Sequence, residues 1–413
     1  MRLNRVVLLM ILLCSAYFIA FIDRVNIGMA STAFGPEFGL TKTQIGTAAS
    51  AFGWSYVFSQ IFGSLIGDRL GARRTLAICG LIVAAATAYI GFATGLTGIV
   101  LARLVLGVGE GAMFPVASRA IAQSLPREMF ARAQGLTHAF GRLANAVTPG
   151  IIGALIVAGS WRMSFWVIAA VSALWAVGWF VAYRDPAPGE GEREAARRAA
   201  AAPSGPVPWS LLVRRIGPMS LVYFCYGWVF YLFLGWIPQY FVHSQGLDIG
   251  HSAIFSSGVF FAGVAGDLAG GTLSDALYKR TGSLAIARRY VISGALLCAL
   301  LCMVPMLTAT DTTVIALCLS GALFFCELIV GPIWALPTDI LPRYASTGTG
   351  MMSAGATIAG IVSPIVAGML IDRTGNWSLP FFAAIGVLAL GSVFALFIRT
   401  GEEPASAVVS TPG

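Results

Sequence analysis

The chain has 413 residues, of which 57% are hydrophobic and only 11% charged, with a net charge of +8 and a mean hydropathy of +0.82. A soluble protein carries about a quarter charged residues, so this composition excludes a soluble enzyme or nucleic-acid-binding domain and points to a chain that crosses a lipid bilayer many times. The seven cysteines (Cys14, Cys79, Cys225, Cys298, Cys302, Cys318 and Cys326) all stand in apolar runs without metal-type or disulfide-type spacing; no metal is expected, and they read as small core residues.

The opening Met1-Arg2-Leu3-Asn4-Arg5 and the apolar run Val6 to Ile22 imitate a secretory signal. That run continues past Cys14 without a small-residue cleavage site, so it is read as a retained first helix. Segments long enough to cross, about 20 residues each, fall near 6–30, 43–66, 75–94, 98–120, 133–157 and 161–183, then near 216–241, 249–276, 287–308, 312–336, 345–371 and 376–398. The pattern is six plus six. It predicts an all-α membrane protein with an N-terminal six-helix bundle over 1–183, a solvated linker over 184–215, a C-terminal bundle over 216–400 and a disordered tail over 401–413. The linker holds five prolines and the charged run Glu192 to Arg198, where Glu194 and Arg198 form an i,i+4 pair. Of the 26 Lys and Arg residues, Lys42, Arg162 and Arg373 fall on one side of the membrane, Arg24, Arg103 and Arg142 inside helices, and all others on the linker's side. Short-loop Lys and Arg mark the cytoplasm, so both termini and the linker are expected there, in a multi-pass protein of the cell's inner (plasma) membrane.

Charges inside the apolar segments carry the functional signal. Asp23 and Arg24 stand side by side at the end of the first apolar run, and an ionised side chain deep in a bilayer costs at least ~2.5–3.5 kcal/mol. Successive helical residues point about 100° apart, so the two face different neighbours. Arg24 is expected to meet an anionic substrate and Asp23 to carry a proton; a static ion pair between helices is the alternative. Arg103 and Glu110 are two turns apart, about 10 Å along one helix face, and are expected to look into one cavity. A carboxyl buried in low dielectric holds its proton more firmly and a nearby guanidinium or anion opposes this, so such groups can couple proton loading to anion binding. The Gly107-x-Gly109-x-Gly111 run has neither the spacing nor the preceding strand of a nucleotide loop and reads as close helix packing. Among the N-terminal helices, two acids and three bases leave an excess of positive charge, which gives Arg142 an anionic partner to find, either in the substrate or in Glu110. His138 reads as a core histidine, and Asp267 and Glu327 as buried acids with no basic residue in the C-terminal helices to pair with.

A repeat marks the two halves. Gly63-Ser64-Leu65-Ile66-Gly67-Asp68-Arg69-Leu70-Gly71-Ala72-Arg73-Arg74 follows the second segment, and Gly271-Thr272-Leu273-Ser274-Asp275 with Gly282 and Arg288-Arg289 follows the eighth, half a chain later. The first of these resembles the signature loop of the major facilitator superfamily, with Ser64 where that family usually has Gly. Asp23-Arg24 with Asn26, the pattern from Arg103 through Gly107, Gly109, Glu110, Gly111 and Phe114 to Pro115, the Trp236-Ile-Pro238-Gln-Tyr240 stretch and Trp334-Ala-Leu-Pro337-Thr-Asp339 together resemble its anion:cation symporters, which carry sugar acids, phthalate and related anions.

The resemblance implies a major facilitator fold of two pseudo-symmetric six-helix bundles and assigns roles. Asp23 and Glu110 correspond to proton sites, Arg103 to a coupling residue, Arg24 to the substrate's charge partner, and Tyr56 to a substrate-contacting tyrosine. Trp334 would line the substrate site, while Trp236, Tyr231 and Tyr240 are more readily interfacial anchors. Asp68, Arg69 and Asp275 would form the gating motif. Arg142 falls one residue beyond a neutral glutamine of the galactonate-type carriers, which implies a second anionic point on the substrate. Phe21 replaces a common Tyr and Ser353 a common Asn, and both changes remove grips on sugar hydroxyls. The function expected is a proton-coupled symporter importing an organic anion by alternating access; a proton-coupled exporter is the alternative, since Thr148 to Gly153 partly resembles an antiporter stretch. The expected partners are the anion, protons and lipid, with no cofactor, no nucleic acid and a monomeric chain. None of the motifs of a membrane-embedded enzyme, such as H-E-x-x-H or G-x-S-x-G, occurs.

Overall fold

A computed structural model of the chain describes residues 2–125, 127–185, 209–341 and 344–401. Most of the linker and the tail after Gly401 lie outside the described residues, as do the Glu194–Arg198 pair and the side chain of Asp68. The described residues are helical almost throughout: α1 (Arg2–Glu37), α2 (Lys42–Phe92), α3 (Leu96–Ser124), α4 (Arg127–Ala158), α5 (Trp161–Ala182), α6 (Trp209–His243), α7 (Ile249–Thr281), α8 (Val291–Met303), α9 (Thr312–Leu328), α10 (Val330–Ile340), α11 (Ala345–Thr374) and α12 (Leu379–Leu396). A π-helical turn, Ala285–Tyr290, leads into α8. In a bilayer this is what backbone polar groups require, because a helix satisfies them all internally. Among the described residues, eleven stretches are long and apolar enough to cross a membrane. The remaining crossing, 43–66, is the first limb of α2.

Helix α2 is two crossings joined at Gly71. Gly71 has φ 79° and ψ 164°, which only glycine adopts without strain, and it turns the chain between the two limbs. The new helix start after it needs its free amides capped. Asp185, beyond the end of α5, does this: its carboxylate accepts from the Ala72 amide at 2.9 Å and from Arg73 at 3.2 Å. Elsewhere the caps are local. Thr41 and Gln44 form a reciprocal capping box at the start of α2, Ser160 caps α5 and Asp311 caps α9. The segment expected at 312–336 is interrupted at Ile329, between α9 and α10, where Pro332 lacks an amide and its ring clashes with the carbonyl of the preceding turn.

The chain forms two compact units. The first comprises Met1–Ala201, Tyr231–Phe261 and Gly360–Pro380; the second comprises Ala202–Phe230, Ala262–Ala359 and Phe381–Gly413. Helices α6, α7 and α11 therefore contribute to both. Lipid tails are as apolar as leucine, so the helices are held by close packing rather than by exclusion of water, and small residues set how close they come. Within the second unit, added Cβ atoms at Gly266 and Gly270 of α7 would fall 2.0 Å from the carbonyl oxygens of Phe324 and Leu328. Within the first, α1 is anchored to α5 by Trp175, whose Nε1 donates to the Leu12 carbonyl at 2.8 Å, and Trp175, Trp179 and Tyr183 stack in series along α5.

A seam in the first unit joins helices far apart in sequence. Cβ atoms at Gly28, Gly46 and Gly368 would fall within 2.4 Å of the carbonyl oxygens of Leu234, Pro364 and Lys42. Gln239 donates to Ser31 at 2.7 Å, and the Gly150 amide to Ser257 at 3.1 Å. At the end of the seam the Asp372 carboxylate accepts from the amides of Lys42 and Thr43 at 2.9 and 2.7 Å and from the Thr43 hydroxyl at 2.6 Å. A carboxylate on a helix N-terminus is favoured by the free amides and the helix dipole. Trp236 and Tyr240 are 1% and 2% exposed, so they belong to the core of this unit and not to an interfacial belt.

The Gly71 turn gives a direct test. A Cβ there would strain the backbone and sit 2.6 Å from Asp185 Oδ2, so Gly71→Ala is expected to cost about 1–3 kcal/mol. The thermal midpoint of the detergent-purified protein should fall clearly, while Gly178→Ala, with nothing within 4 Å of the added methyl, should leave it in place.

Candidate functional site: a buried ion pair in an aromatic cage

The intramembrane charges of the first three helices, Asp23, Arg24, Arg103 and Glu110, meet in the first unit. Asp23 and Arg24 project from α1 in different directions. Arg24 Nε donates to Glu110 Oε2 of α3 at 2.8 Å, with Glu110 fully buried and the Arg24 side chain 11% exposed. Asp23 turns instead to the second limb of α2, where Thr87 Oγ1 donates to its Oδ1 at 3.0 Å. Arg103 shares that side: its Nη1 reaches the Asp23 carbonyl at 3.4 Å and its Nη2 the Ala49 carbonyl at 3.3 Å. Arg103 and Glu110, read as sharing a face, thus serve different partners; the direct ion pair of Glu110 is with Arg24. Asn26 accepts from Ser164 of α5 at 3.2 Å.

Four aromatic rings enclose the Arg24 guanidinium. Its Cζ lies 4.8 Å from the ring centre of Phe21, 5.1 Å from Phe52, 4.9 Å from Tyr56 and 5.1 Å from Phe114. Each ring face attracts a desolvated cation by about 0.5–2 kcal/mol, so the cage supports a charge that would be costly in hydrocarbon. Phe52 also takes the Arg103 guanidinium, at 4.9 Å. The cage follows from helix periodicity: Phe21 is one turn before Arg24 on α1, Phe52 one turn before Tyr56 on α2, and Phe114 one turn after Glu110 on α3.

Glycines bring these helices close enough. A Cβ at Gly107 would sit 2.4 Å from the Phe52 carbonyl oxygen, and one at Gly111 2.6 Å from that of Tyr56, whereas Gly109 faces Cys79 and Val83 on the other limb of α2. The glycine run is the helix-packing element expected of it. Gly141 of α4 likewise leaves room for the Phe21 ring, which a Cβ would approach to 2.7 Å.

Several polar atoms in this cluster have no hydrogen-bond partner: Asp23 Oδ2, Arg24 Nη2, Asn26 Nδ2, Arg103 Nε and Glu110 Oε1. Buried polar groups are ordinarily paired, so the cluster retains hydrogen-bonding capacity of both signs beside a guanidinium. Arg142 of α4 is half-buried, and both it and Arg24 act electrostatically on His138 and on the Tyr231 hydroxyl. His138 packs edge-on against Tyr17 at 5.2 Å. Tyr56 accepts from Gln60 at 3.1 Å and lies within electrostatic reach of Arg24.

The remaining candidate residues belong to the second unit or to the turn between the two limbs of α2. Trp334 is 42% exposed, and its Nε1 donates to the Tyr223 hydroxyl at 2.8 Å. Tyr223 stacks on Tyr226, which donates to the buried Glu327 at 3.1 Å. Arg288 bridges Asp275 at 3.2 Å and Asp339 at 3.1 Å and donates to Ser274 at 2.5 Å. Arg69 is exposed. Sequence motifs single out neither Phe52 nor Thr87 and give Phe114 only as a member of the family pattern. The signal for the two phenylalanines was their spacing of four from Tyr56 and Glu110, and for Thr87 its place as a polar residue in an apolar run.

Comparison with known proteins agrees with this architecture. Residues 13–351 match the family model described as Major Facilitator Superfamily. The chain is 39% identical over 397 residues to a probable sulfoacetate transporter of Cupriavidus necator, covering 94% of this chain and 92% of that protein. It is 28% identical to a hexuronate transporter of Bacillus subtilis, covering 92% of each, and 27% identical to a D-galactonate transporter of Escherichia coli, covering 93% of each. Among solved structures, an inward-facing, unoccupied bacterial homologue of the human lysosomal transporter Spinster superposes with a TM-score of 0.75 at 18% identity, covering 95% of this chain and 94% of the other. That likeness fixes the fold as twelve helices in two six-helix bundles.

The glycine contacts predict that Gly111→Ala pushes the first limb of α2 away from α3 and draws Phe52 and Tyr56 off the guanidinium. Misplacing a binding group by about 1 Å can cost up to 10²-fold, so uptake by Gly111→Ala protein in proteoliposomes is expected to fall by roughly tenfold or more.

Proposed function

Because the chain belongs to the major facilitator superfamily, and within it to the anion:cation symporters, we propose that it imports a small organic anion together with protons by alternating access. It is a multi-pass carrier of organic anions and not an enzyme, as the family and the relatives named above are transporters. We place it in the cell's inner membrane with both termini and the 184–215 linker in the cytoplasm, acting as a single chain whose bundles 1–183 and 216–400 are the moving bodies.

The observation that carries this reading is the 2.8 Å contact between Arg24 and Glu110. One guanidinium then has two possible counter-charges, the protein's carboxylate and the substrate's anion. When Glu110 takes a proton its claim on Arg24 lapses and an anion can replace it; when the anion leaves, the carboxylate returns. Proton and anion thus travel together because an unpaired charge in the bilayer interior is costly. Asp23, fixed by Thr87 and beside Arg103, is the second proton site, and Arg103 links the two acids. Tyr56 contacts the substrate beside Arg24, and Trp334 is a further substrate-lining residue. Asp68, Arg69 and Asp275 form the cytoplasmic gating motif, with Arg288 as the partner of Asp275.

Arg142 reads a second anionic group. The support is the excess of positive charge among the N-terminal helices, where Asp23 and Glu110 are set against Arg24, Arg103 and Arg142. A substrate with two acidic ends also suits the probable sulfoacetate transporter at 39% identity better than a polyhydroxy acid would, given Phe21 and Ser353.

Two measurements test this. In proteoliposomes, Glu110→Gln is expected to keep substrate exchange and lose accumulation driven by a proton gradient, while Arg24→Ala abolishes binding by removing the charge-assisted, bidentate-capable partner; gradient-driven uptake at the wild-type level by Glu110→Gln would remove Glu110 from the coupling. Reporter fusions after Arg198 and at the C-terminus should be active only in cytoplasmic form, and a periplasm-only reporter active at Arg198 overturns the orientation.

A further inference from the structure

The composition of the cage around Arg24 bears on which anionic group it receives. Three of its four walls, Phe21, Phe52 and Phe114, carry no polar atom, and the hydroxyl of the fourth, Tyr56, is already engaged by Gln60. The four ring centres lie 4.8–5.1 Å from the Arg24 Cζ, so an incoming anion meets the guanidinium among aromatic rings and not in open water. Its Nε is held by Glu110, and Nη2 is buried without a hydrogen-bond partner. Gly141 and the Gly107/Gly111 pair hold the rings in place by excluding any side chain that would part them. An anion bound here therefore gives up most of its water and gains one edge of a guanidinium in return.

That exchange discriminates between oxyanions. Stripping water from an ion is the dominant cost of burying it. A carboxylate concentrates its charge on two basic oxygens and is strongly hydrated, whereas a sulfonate spreads the same charge over three weakly basic oxygens and is released from water more readily. The two also differ toward protons. A carboxylate beside Glu110 can accept the proton that Glu110 is meant to carry, while a sulfonate, the anion of a far stronger acid, leaves it on Glu110. We infer that the phenylalanine faces make Arg24 a sulfonate-selective site, and that the carrier seats the sulfonate end of a small sulfo-carboxylate at Arg24 with the carboxylate end toward Arg142. This rests on the proposed role of Arg24 as the anion's partner.

The test compares matched dianions on the full-length protein: sulfoacetate against malonate, its carboxylate counterpart, at a pH of about 8 where the carboxyl groups of both are ionised. Binding is read by thermal shift and calorimetry, and transport by competition in proteoliposomes. Sulfoacetate is expected to bind at least about tenfold more tightly than malonate, a difference of ~1.4 kcal/mol. Phe114→Leu and, separately, Phe21→Tyr should narrow that ratio. Malonate binding as well as or better than sulfoacetate in the wild type overturns the selectivity while leaving the carrier reading intact. An unchanged ratio in both variants, with binding retained, removes the rings as its cause. Failure of the wild type to bind sulfoacetate overturns the selectivity, and binding of hexuronate or galactonate in its place leaves the carrier reading intact.

Discussion

The contact between Arg24 and Glu110 is the constraint to which the rest of the first unit is fitted. Placing a guanidinium and a carboxylate inside an apolar bundle is expensive, and removing one member of such a buried pair costs about 3–5 kcal/mol because the other is stranded. The structure meets that cost in layers. Glu110 neutralises the charge, four ring faces replace part of its hydration, and glycines at 107, 111 and 141 bring the rings within range. Asp23, one residue away, is kept out of this pair by the angle between successive helical residues and is given Thr87 instead. The two acids therefore take different hydrogen-bond partners, Arg24 for Glu110 and Thr87 for Asp23.

The second unit works with different means. Its charged contacts gather at the π-helical turn before α8, where Arg288 ties the end of α7 to α10 through Asp275 and Asp339. Deeper in, hydrogen bonds between neutral and acidic partners take over, from Trp334 to Tyr223 and from Tyr226 to Glu327. The sequence asymmetry, with three intramembrane arginines in the first half and none in the second, is thus an asymmetry of chemistry imposed on a repeated backbone plan.

Much of this was open to reading from the residues. Apolar run lengths located the crossings, because a bilayer fixes how long a helix must be. The cost of intramembrane charge singled out Asp23, Arg24, Arg103 and Glu110 without reference to any partner. Pairing was less accessible: Arg103 and Glu110 are seven apart on one helix, yet Glu110 is bonded by Arg24, 86 positions away, and helix periodicity carries no information about which helix lies opposite. The same limit hid Phe52 and Phe114, which look like ordinary lipid-facing or core phenylalanines until a guanidinium is set between them. Trp236 and Tyr240 were misplaced as interfacial anchors because position near a span's end is a statistical cue, whereas their burial follows from how α6 packs within the first unit. The break at Ile329 was signalled by Pro332, but a continuous apolar run concealed it.

The Asp372 cap on α2 has a consequence for how readily the seam can open. Its oxygens hold the amides of Lys42 and Thr43 and the Thr43 hydroxyl, and Asp372 itself is exposed. Every group released by separating them is therefore one that solvent can re-bond at once. The net worth of each such bond is about 0.5–1.5 kcal/mol, far below its strength in isolation, so three together tilt an equilibrium by a few kcal/mol and no more. A fastening of that size is small beside the cost of stranding a buried charge, and at this end of the seam each of its groups is one that water can satisfy in turn.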